Sequence, residues 1–141
     1  MSRVLKDDAL WNVKAYRLAL YASDMGWPDI THLEQDRRTN RLSGQLCRAL
    51  GSIGANIAEG YSRSSHKEKA HYYEYALGSA RESRHWYHEG RHVVGEQIVE
   101  DRLSTLTEII RLLLAMIPDQ RSYIVREESA DYLLEEHLES E

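Results

Sequence analysis

The feature that most limits how this chain can fold is the apolar pattern of residues 96–117. Apolar side chains recur there at steps of four, three, four, three and four, which places them on one face of an α-helix. The members of this stripe are Val99, Leu103, Leu106, Ile110, Leu113 and Ile117. The pattern therefore predicts a long helix over residues 96–117 that stops at Pro118.

The same segment carries a second apolar stripe, formed by Ile109, Leu112 and Met116. At 100° per residue, the two stripes together span an arc of roughly 200°. A helix that packs only within its own bundle needs an apolar arc of about 100° or somewhat more. The excess predicts that these three residues form an oligomer interface. The alternative is that a short bundle buries this helix centrally, so that both stripes face its own core.

Three earlier segments also have the period of a helix. The first covers residues 8–24 and ends where Pro28 and its neighbours break the pattern. The second covers residues 38–60. The third covers residues 65–94 and opens with Ser65-His-Lys-Glu68, the pattern of a capping box. Four helices joined by short links predict an all-α fold, an antiparallel up-down-up-down four-helix bundle.

The charge of the chain divides it into a body and a tail. Residues 119–141 contain eight acidic and two basic side chains, whereas residues 1–118 contain 15 acidic and 16 basic ones. We therefore expect a bundle domain over 1–118 and an acidic C-terminal tail over 119–141. Within the tail, Tyr132, Leu133, Leu134 and Leu138 have the spacing of a short amphipathic helix. Because the body is close to neutral, an acidic chain of this kind can still carry a basic face.

The expected compartment follows from what the sequence does not contain. Cys47 is the only cysteine of the 141 residues, which excludes a disulfide framework and fits a reducing compartment. The first residues lack the apolar run of a signal peptide. No stretch approaches the ~18 apolar residues of a membrane span. We therefore expect a soluble, cytoplasmic protein that has no membrane partner.

The second helix is unusual in its glycines, which include Gly51 and Gly54. A glycine in a helix interior costs about 1 kcal/mol relative to alanine. We therefore expect another helix to approach closely at Gly51 and Gly54. Gly60 has the position of a C-cap at the end of the same helix.

The outer face of the third helix is rich in basic and histidine side chains. At 100° per residue, six of them fall within an arc of roughly 100°. These are Lys67, His71, Arg81, His85, His88 and His92, and Arg63 joins them from the preceding loop. Such a face can contact phosphates, and does so more strongly when the histidines are protonated. The alternative is an ordinary solvated helix surface.

A second polar set is predicted to be structural. Its members on the second and third helices are Arg48, Asn56, Glu59, Glu68 and Glu82. Half-buried polar groups need partners, so we expect a network that fixes how the two helices dock. A ligand site is the alternative.

Enzymatic and metal sites are not indicated by the residue pattern. The sequence contains no arrangement of nucleophile, base and orienting group, so we expect no catalytic residues and no cofactor. Two Glu-x-x-His patterns end at His85 and His92, but they lie on one helix and cannot close a dinuclear site within one chain. A surface zinc site formed by His85, His88 and His92 is the alternative to the expectation of no metal.

Two strings on the second and third helices resemble a known family. They are Asn56-Ile-Ala-Glu-Gly60 and Ala76-Leu-Gly-Ser79, and Arg48, Arg63 and Glu82 accompany them. The chain resembles, over about residues 9–118, the four-helix-bundle proteins encoded by intervening sequences in bacterial large-subunit ribosomal RNA genes. The accessory protein of diversity-generating retroelements is a more distant relative of that group. The resemblance implies a bundle that assembles into a ring-like homopentamer. For the retroelement proteins it implies binding to nucleic acid and to a reverse transcriptase.

The sequence thus supports two hypotheses about function. The first is a non-enzymatic, homo-oligomeric helical module that binds RNA or DNA, or a nucleic-acid-processing enzyme such as a reverse transcriptase. The second is a structural or protein-interaction scaffold that does not bind nucleic acid.

Overall fold

The computed structural model describes residues 2–140; in the last helix it describes the side chains of residues 96–121, 128, 129 and 136. The elements are α1 (Arg3–Asp7), a 3₁₀ turn (Ala9–Asn12), α2 (Lys14–Gln35), α3 (Asn40–Ser62), α4 (His66–Glu89), α5 (Arg91–Val94) and α6 (Glu96–Ser140). Residues 2–140 contain no strand. The predicted all-α fold is confirmed, and its four long helices form a bundle.

The core of the bundle is drawn from all four long helices. Its fully buried large side chains include Leu33, Ile53, Tyr87 and Leu113, one from each helix. Burying an aliphatic side chain of this size stabilises the fold by about 1.5–3 kcal/mol. The chain contains no Phe, and two buried tyrosines, Tyr73 and Tyr87, supply the aromatic bulk.

Neighbouring helices run in opposite directions, as the contacts between them show. Leu50 of α3 lies against Gly26 of α2, and the later Gly54 lies against the earlier Ala19. Between α4 and α6, Arg84 contacts Thr107, and the earlier Glu74 contacts the later Arg121. Both pairs are therefore antiparallel.

The first predicted helix was expected to break near Pro28, and this expectation is wrong. Helix α2 continues through Pro28 to Gln35. A proline in a helix interior costs about 3 kcal/mol. The residues beyond it offset that cost, because Leu33 is fully buried in the core and the buried Asp29 accepts hydrogen bonds from two other helices.

The fourth predicted helix was expected to stop at Pro118, and this is also wrong. Helix α6 continues through Pro118 to Ser140. The residues just beyond the proline are attached to α4: Arg121 pairs with Glu74 at 2.6 Å, and Gln120 Oε1 lies 2.6 Å from His66 Nδ1. The division into a bundle and a tail stays a prediction. The side chains of Tyr132, Leu133, Leu134 and Leu138, which suggested a short amphipathic helix, lie outside the described residues.

Most side chains of the broad apolar arc of α6 pack against the core of the same chain. Ile109 is fully buried in the core, so its predicted place in an oligomer interface is wrong. Leu112 and Met116 are partly buried and pack against the same core. The physical reason is that α6 packs against both α4 and α2, which is the central burial weighed above.

The predicted close approach at Gly51 is also wrong. A Cβ atom at Gly51 would have no neighbour within 4 Å, and one at Gly54 would meet only ordinary contacts, the nearest at 3.7 Å from Ala19. Tight positions occur elsewhere. A Cβ at Gly60 would lie 2.8 Å from the Tyr73 ring, and one at Gly90 would lie 2.7 Å from Leu33. Gly60 is therefore a packing position inside α3, and not the C-cap that the sequence suggested.

The predicted start of α4 after Ser65 is confirmed. The Ser65 hydroxyl accepts a hydrogen bond of 3.0 Å from the backbone N–H of Glu68. At the other end, Gly90 separates α4 from the short α5, and Gly95 ends α5 with a positive φ of 102°. None of the described helices is long and apolar enough to cross a membrane.

Candidate nucleic-acid interface

Helix α4 turns one face to the core and the opposite face to solvent. The buried face carries Ala70, Tyr73, Ala76, Ala80, Ser83 and Tyr87. The exposed face carries five of the predicted phosphate-binding residues: Lys67, His71, Arg81, His85 and His88. His92 is also exposed but lies on α5, beyond the Gly90 break.

The edge of α4 that faces α6 forms an open groove of about 560 Å³. Its α4 wall consists of Arg81, Arg84, His85 and His88, and its α6 wall consists of Glu100, Leu103 and Thr107. Arg84 Nη1 donates a hydrogen bond of 3.3 Å to Thr107 Oγ1. The groove therefore brings two arginines and two histidines together around one carboxylate. Sequence reasoning missed Arg84 because this residue falls just outside the arc that defined the basic face.

A second recess lies at the beginning of α4. Its basic side chains are Lys67, His71 and Arg121, and Ser65, Glu68 and Tyr72 complete the lining. The ion pair between Arg121 and Glu74 neutralises one of the four exposed acids of α4. Sequence reasoning missed Arg121 because the helix that carries it was expected to end at Pro118.

Arg63 is engaged in holding α3 to α4. Its Nη2 donates to Glu59 Oε2 at 3.0 Å and to the Tyr72 hydroxyl at 3.1 Å, and its guanidinium lies 4.9 Å from the centre of the Tyr72 ring. Tyr72, together with the carboxylates of Glu59 and Glu68, holds the pKa of Arg63 above its ordinary value. Arg63 therefore lies on the side of α4 that faces α3, away from the groove.

The five residues predicted as one polar network are placed in separate contacts. Glu59 and Glu68 lie at the α3–α4 turn, where Arg63 links them electrostatically. Asn56 donates to the carbonyl of Ser52 in its own helix, at 2.8 Å. Glu82 accepts a hydrogen bond of 3.1 Å from the Trp86 indole, and Arg48 is exposed.

The buried polar network of the bundle lies elsewhere, around Asp29. Asp29 Oδ2 accepts hydrogen bonds from the Tyr87 hydroxyl at 2.7 Å and from Arg102 Nε at 2.8 Å. Arg102 Nη1 also donates to Asp101 at 2.7 Å. Burial and the neighbouring Asp29 carboxylate raise the pKa of Tyr87, and the hydrogen bond to Asp29 raises the pKa of Arg102. Sequence reasoning missed this network because it placed Asp29 in a loop.

The Asp29 network is suited to a structural role. It ties α2, α4 and α6 together, and Tyr87 and Arg102 both direct their donors to the one buried carboxylate. A cavity of about 10 Å³ beside it is lined in part by Tyr21, Met25 and Arg102. This space is close to the minimum that one water molecule needs. The arrangement therefore leaves no room for a substrate next to the carboxylate.

The described residues do not form a metal site. Among them, no group of three or more His, Cys, Asp or Glu side chains is placed to hold a metal ion. His85 is directed to its own neighbour: its ring lies 4.7 Å from that of Trp86. The zinc site that the spacing of His85, His88 and His92 made conceivable is thus not assembled.

Comparison with known proteins identifies a family and a similar fold. The family model described as 23S rRNA-intervening sequence protein matches residues 13–115. The crystal structure of a protein of unknown function from the S23 ribosomal protein family of Bacteroides thetaiotaomicron superposes with a TM-score of 0.68. The two sequences are 24% identical, and the match covers 73% of this chain and 97% of that chain. At this identity the likeness concerns the fold alone. No curated protein matches the chain.

Proposed function

The chain belongs to the 23S rRNA-intervening sequence protein family, and we propose that it is a non-enzymatic helical module that binds nucleic acid through the outer face of α4. The family match confirms the resemblance seen in the Asn56–Gly60 and Ala76–Ser79 strings. It concerns the fold and the ancestry of the chain, so the proposed activity depends on the surface chemistry of α4.

The observation that carries the proposal is the groove between α4 and α6. Arg81 and Arg84 contribute permanent positive charge, and His85 and His88 line the groove beside them. Glu100 is the one carboxylate in the lining. A groove with this balance attracts a phosphate backbone, and each phosphate contact makes binding weaker at higher salt.

Several cations elsewhere on the bundle are already paired. Arg102 binds Asp29 and Asp101, and Arg111 binds Glu108. The main competing basic surface lies where α2 meets α3, because Arg37 and Arg41 are exposed there. On that surface, however, Arg38 is paired with Asp36 at 2.9 Å, and Glu34 lies in the same recess.

The test is the binding of a fluorescently labelled single-stranded RNA, measured by anisotropy over a series of salt concentrations. Lys67→Glu/Arg81→Glu reverses two charges on the α4 face. Arg37→Glu/Arg41→Glu changes the net charge by the same amount on the surface where α2 meets α3. We expect the first variant to lose most of its affinity and the second to bind like the parent. Equal binding by the parent and Lys67→Glu/Arg81→Glu would rule out this face.

A protein-interaction scaffold is the alternative function, and one observation favours it. Trp27 is 77% exposed on α2, and the exposed Tyr21 lies on the same helix. Large exposed aromatic side chains are common at protein interfaces. Self-association, with a pentamer as the expected assembly, and a reverse-transcriptase partner belong to the proposal on the grounds of the family resemblance. If no RNA or DNA binds at any pH or salt concentration, the scaffold function takes the place of the proposed one.

A further inference from the structure

We propose that α4 binds an unpaired strand, with phosphates along its α6-facing edge and one base stacked on Tyr75, so that the protein prefers single-stranded to double-stranded nucleic acid. This inference rests on the proposed function and adds the class of nucleic acid and the residue that selects it.

The exposed surface of α4 is divided lengthwise into two chemically different edges. Arg81, Arg84 and His88 lie on the edge that faces α6, where Arg84 contacts Thr107. The opposite edge carries aromatic rings: Tyr72 contacts Arg63 at the end of α3, and Tyr75 follows three residues later. The cations of α4 that line the groove therefore lie on one side of the helix, and its tyrosine rings lie on the other. A single strand presents the same division, because its phosphates and its bases lie on opposite sides of the sugar.

Tyr75 is the aromatic side chain on this edge that is best placed to stack. It is 51% exposed. The His71 ring meets it edge to face at a centroid distance of 4.4 Å, and the Tyr72 ring does so at 6.0 Å. Such edge contacts are favourable geometries for aromatic pairs and restrain the ring. A restrained ring loses little conformational freedom when a base stacks on it.

Trp86, the other large ring on this edge, is less suited to stacking. Its indole N–H is bound to Glu82. It is only partly exposed, whereas Tyr75 is exposed. The difference in exposure leaves Tyr75 as the residue that can accept a base.

The spacing along α4 places cations on both sides of Tyr75. Lys67 precedes it by about 12 Å along the helix axis and Arg81 follows it by about 9 Å, at 1.5 Å per residue. A strand whose phosphates reach both residues must pass the level of Tyr75 along the helix axis. Glu74, the acid next to Tyr75, is neutralised by Arg121. Stacking tolerates any base because every base has an aromatic face, whereas a duplex hides those faces inside its helix.

The test compares three labelled probes of equal length: a single-stranded RNA, an abasic oligomer that has only sugars and phosphates, and an RNA duplex. We expect the parent to bind the single strand roughly tenfold more tightly than the abasic oligomer, the size of one stacked base. Tyr75→Ala should remove that difference, and Tyr75→Trp should keep it. Tyr21→Ala is the matched control, since Tyr21 is similarly exposed, at 49%, on α2.

The outcomes separate this inference from the proposed function. If Lys67→Glu/Arg81→Glu weakens binding but the parent binds all three probes equally, α4 contacts phosphates only and the stacking inference is overturned. The same conclusion follows if Tyr75→Ala keeps the preference of the parent. If the parent binds none of the probes, the proposed function and this inference both fail. The comparison of probes on the parent requires no variant, so a misfolded Tyr75→Ala protein would leave the test intact.

Discussion

The Tyr87 hydroxyl donates a 2.7 Å hydrogen bond to the buried carboxylate of Asp29, although the two residues are 58 positions apart in the chain. Arg102 donates to the same oxygen, so three helices meet at one charged group. A buried carboxylate is tolerated only when it is paired and hydrogen-bonded. This small network therefore helps to fix how α2, α4 and α6 are arranged, and with them the groove on the outer side of α4.

The first prediction concerns the hydrogen bond from Tyr87. Tyr87→Phe keeps the ring but leaves Asp29 with one donor fewer, and an unsatisfied buried group costs about 1–3 kcal/mol. We expect the free energy of unfolding, measured by urea denaturation, to fall by that amount. Tyr21→Phe removes an exposed hydroxyl and should change it by less than about 0.5 kcal/mol. Equal stability of Tyr87→Phe and the parent would show that the hydrogen bond contributes nothing.

The second prediction follows from the raised pKa of Tyr87. The folded protein holds the phenol proton more tightly than the unfolded chain does, because of burial and the Asp29 carboxylate. The stability from this difference is fully present below about pH 10, the ordinary tyrosine value, and is lost as the pH rises further. The parent should therefore lose up to about 1.4 kcal/mol more per pH unit above pH 10 than Tyr87→Phe.

The second buried tyrosine, Tyr73, is accounted for by comparing the two proteins. Burial also raises the pKa of Tyr73, and Tyr73 is present in both proteins. The difference between the two profiles therefore belongs to Tyr87. Parallel profiles above pH 10 would contradict the prediction.

The third prediction compares two glycines of α3. Gly60→Ala places a methyl group against the rigid ring of Tyr73, and overpacking of this kind typically costs about 1–3 kcal/mol. Gly51→Ala meets open space on an exposed helix surface and should stabilise the protein by up to about 1 kcal/mol. Thermal unfolding of both variants shows whether each substitution lowers or raises the stability of the protein. If Gly51→Ala instead destabilises the protein, Gly51 contacts another copy of the chain.

The four long helices could be predicted from their apolar periodicity. The C-terminal ends of α2 and α6, the two helices that contain proline, could not be predicted. Local rules place a break at Pro28 and a stop at Pro118, yet α2 and α6 both continue. In α2 the reason is tertiary: Leu33 and Asp29 are held by other helices, and no local pattern reports that. The same error hid Asp29 and Arg121 from the sequence reasoning. Five of the seven residues predicted for the basic face lie on the exposed side of α4, where helical geometry alone places them, whereas His92 lies on α5 and Arg63 faces α3.

The glycines of α3 also show what the sequence alone cannot predict. A glycine in a helix indicates either a close approach or an open surface, and the sequence does not distinguish the two. Gly60 is a close approach and Gly51 is open. The side chain opposite each glycine decides which one applies, and that side chain comes from a different part of the chain.

The fourth prediction concerns self-association. The family resemblance implies a pentamer, although the structure places Ile109 in the core and so removes one of the three residues expected at the interface. Light scattering at micromolar concentration should give a mass several times the 16.4 kDa of one chain. A mass of one chain across the accessible concentrations would contradict it.

The last prediction concerns the acidic residues beyond Arg121. A chain that ends at Arg121 keeps the ion pair with Glu74, and it loses seven acidic and one basic side chain. If those acids compete with nucleic acid for the basic face of α4, the shortened protein should bind RNA more tightly than the parent, and the gain should shrink at high salt because the competition is electrostatic. Adding Lys67→Glu/Arg81→Glu to the shortened chain is the control: it should abolish the gain if the α4 face is where the competition occurs. A shortened chain that binds RNA no better than the parent at low salt would show that the acidic residues leave this face accessible.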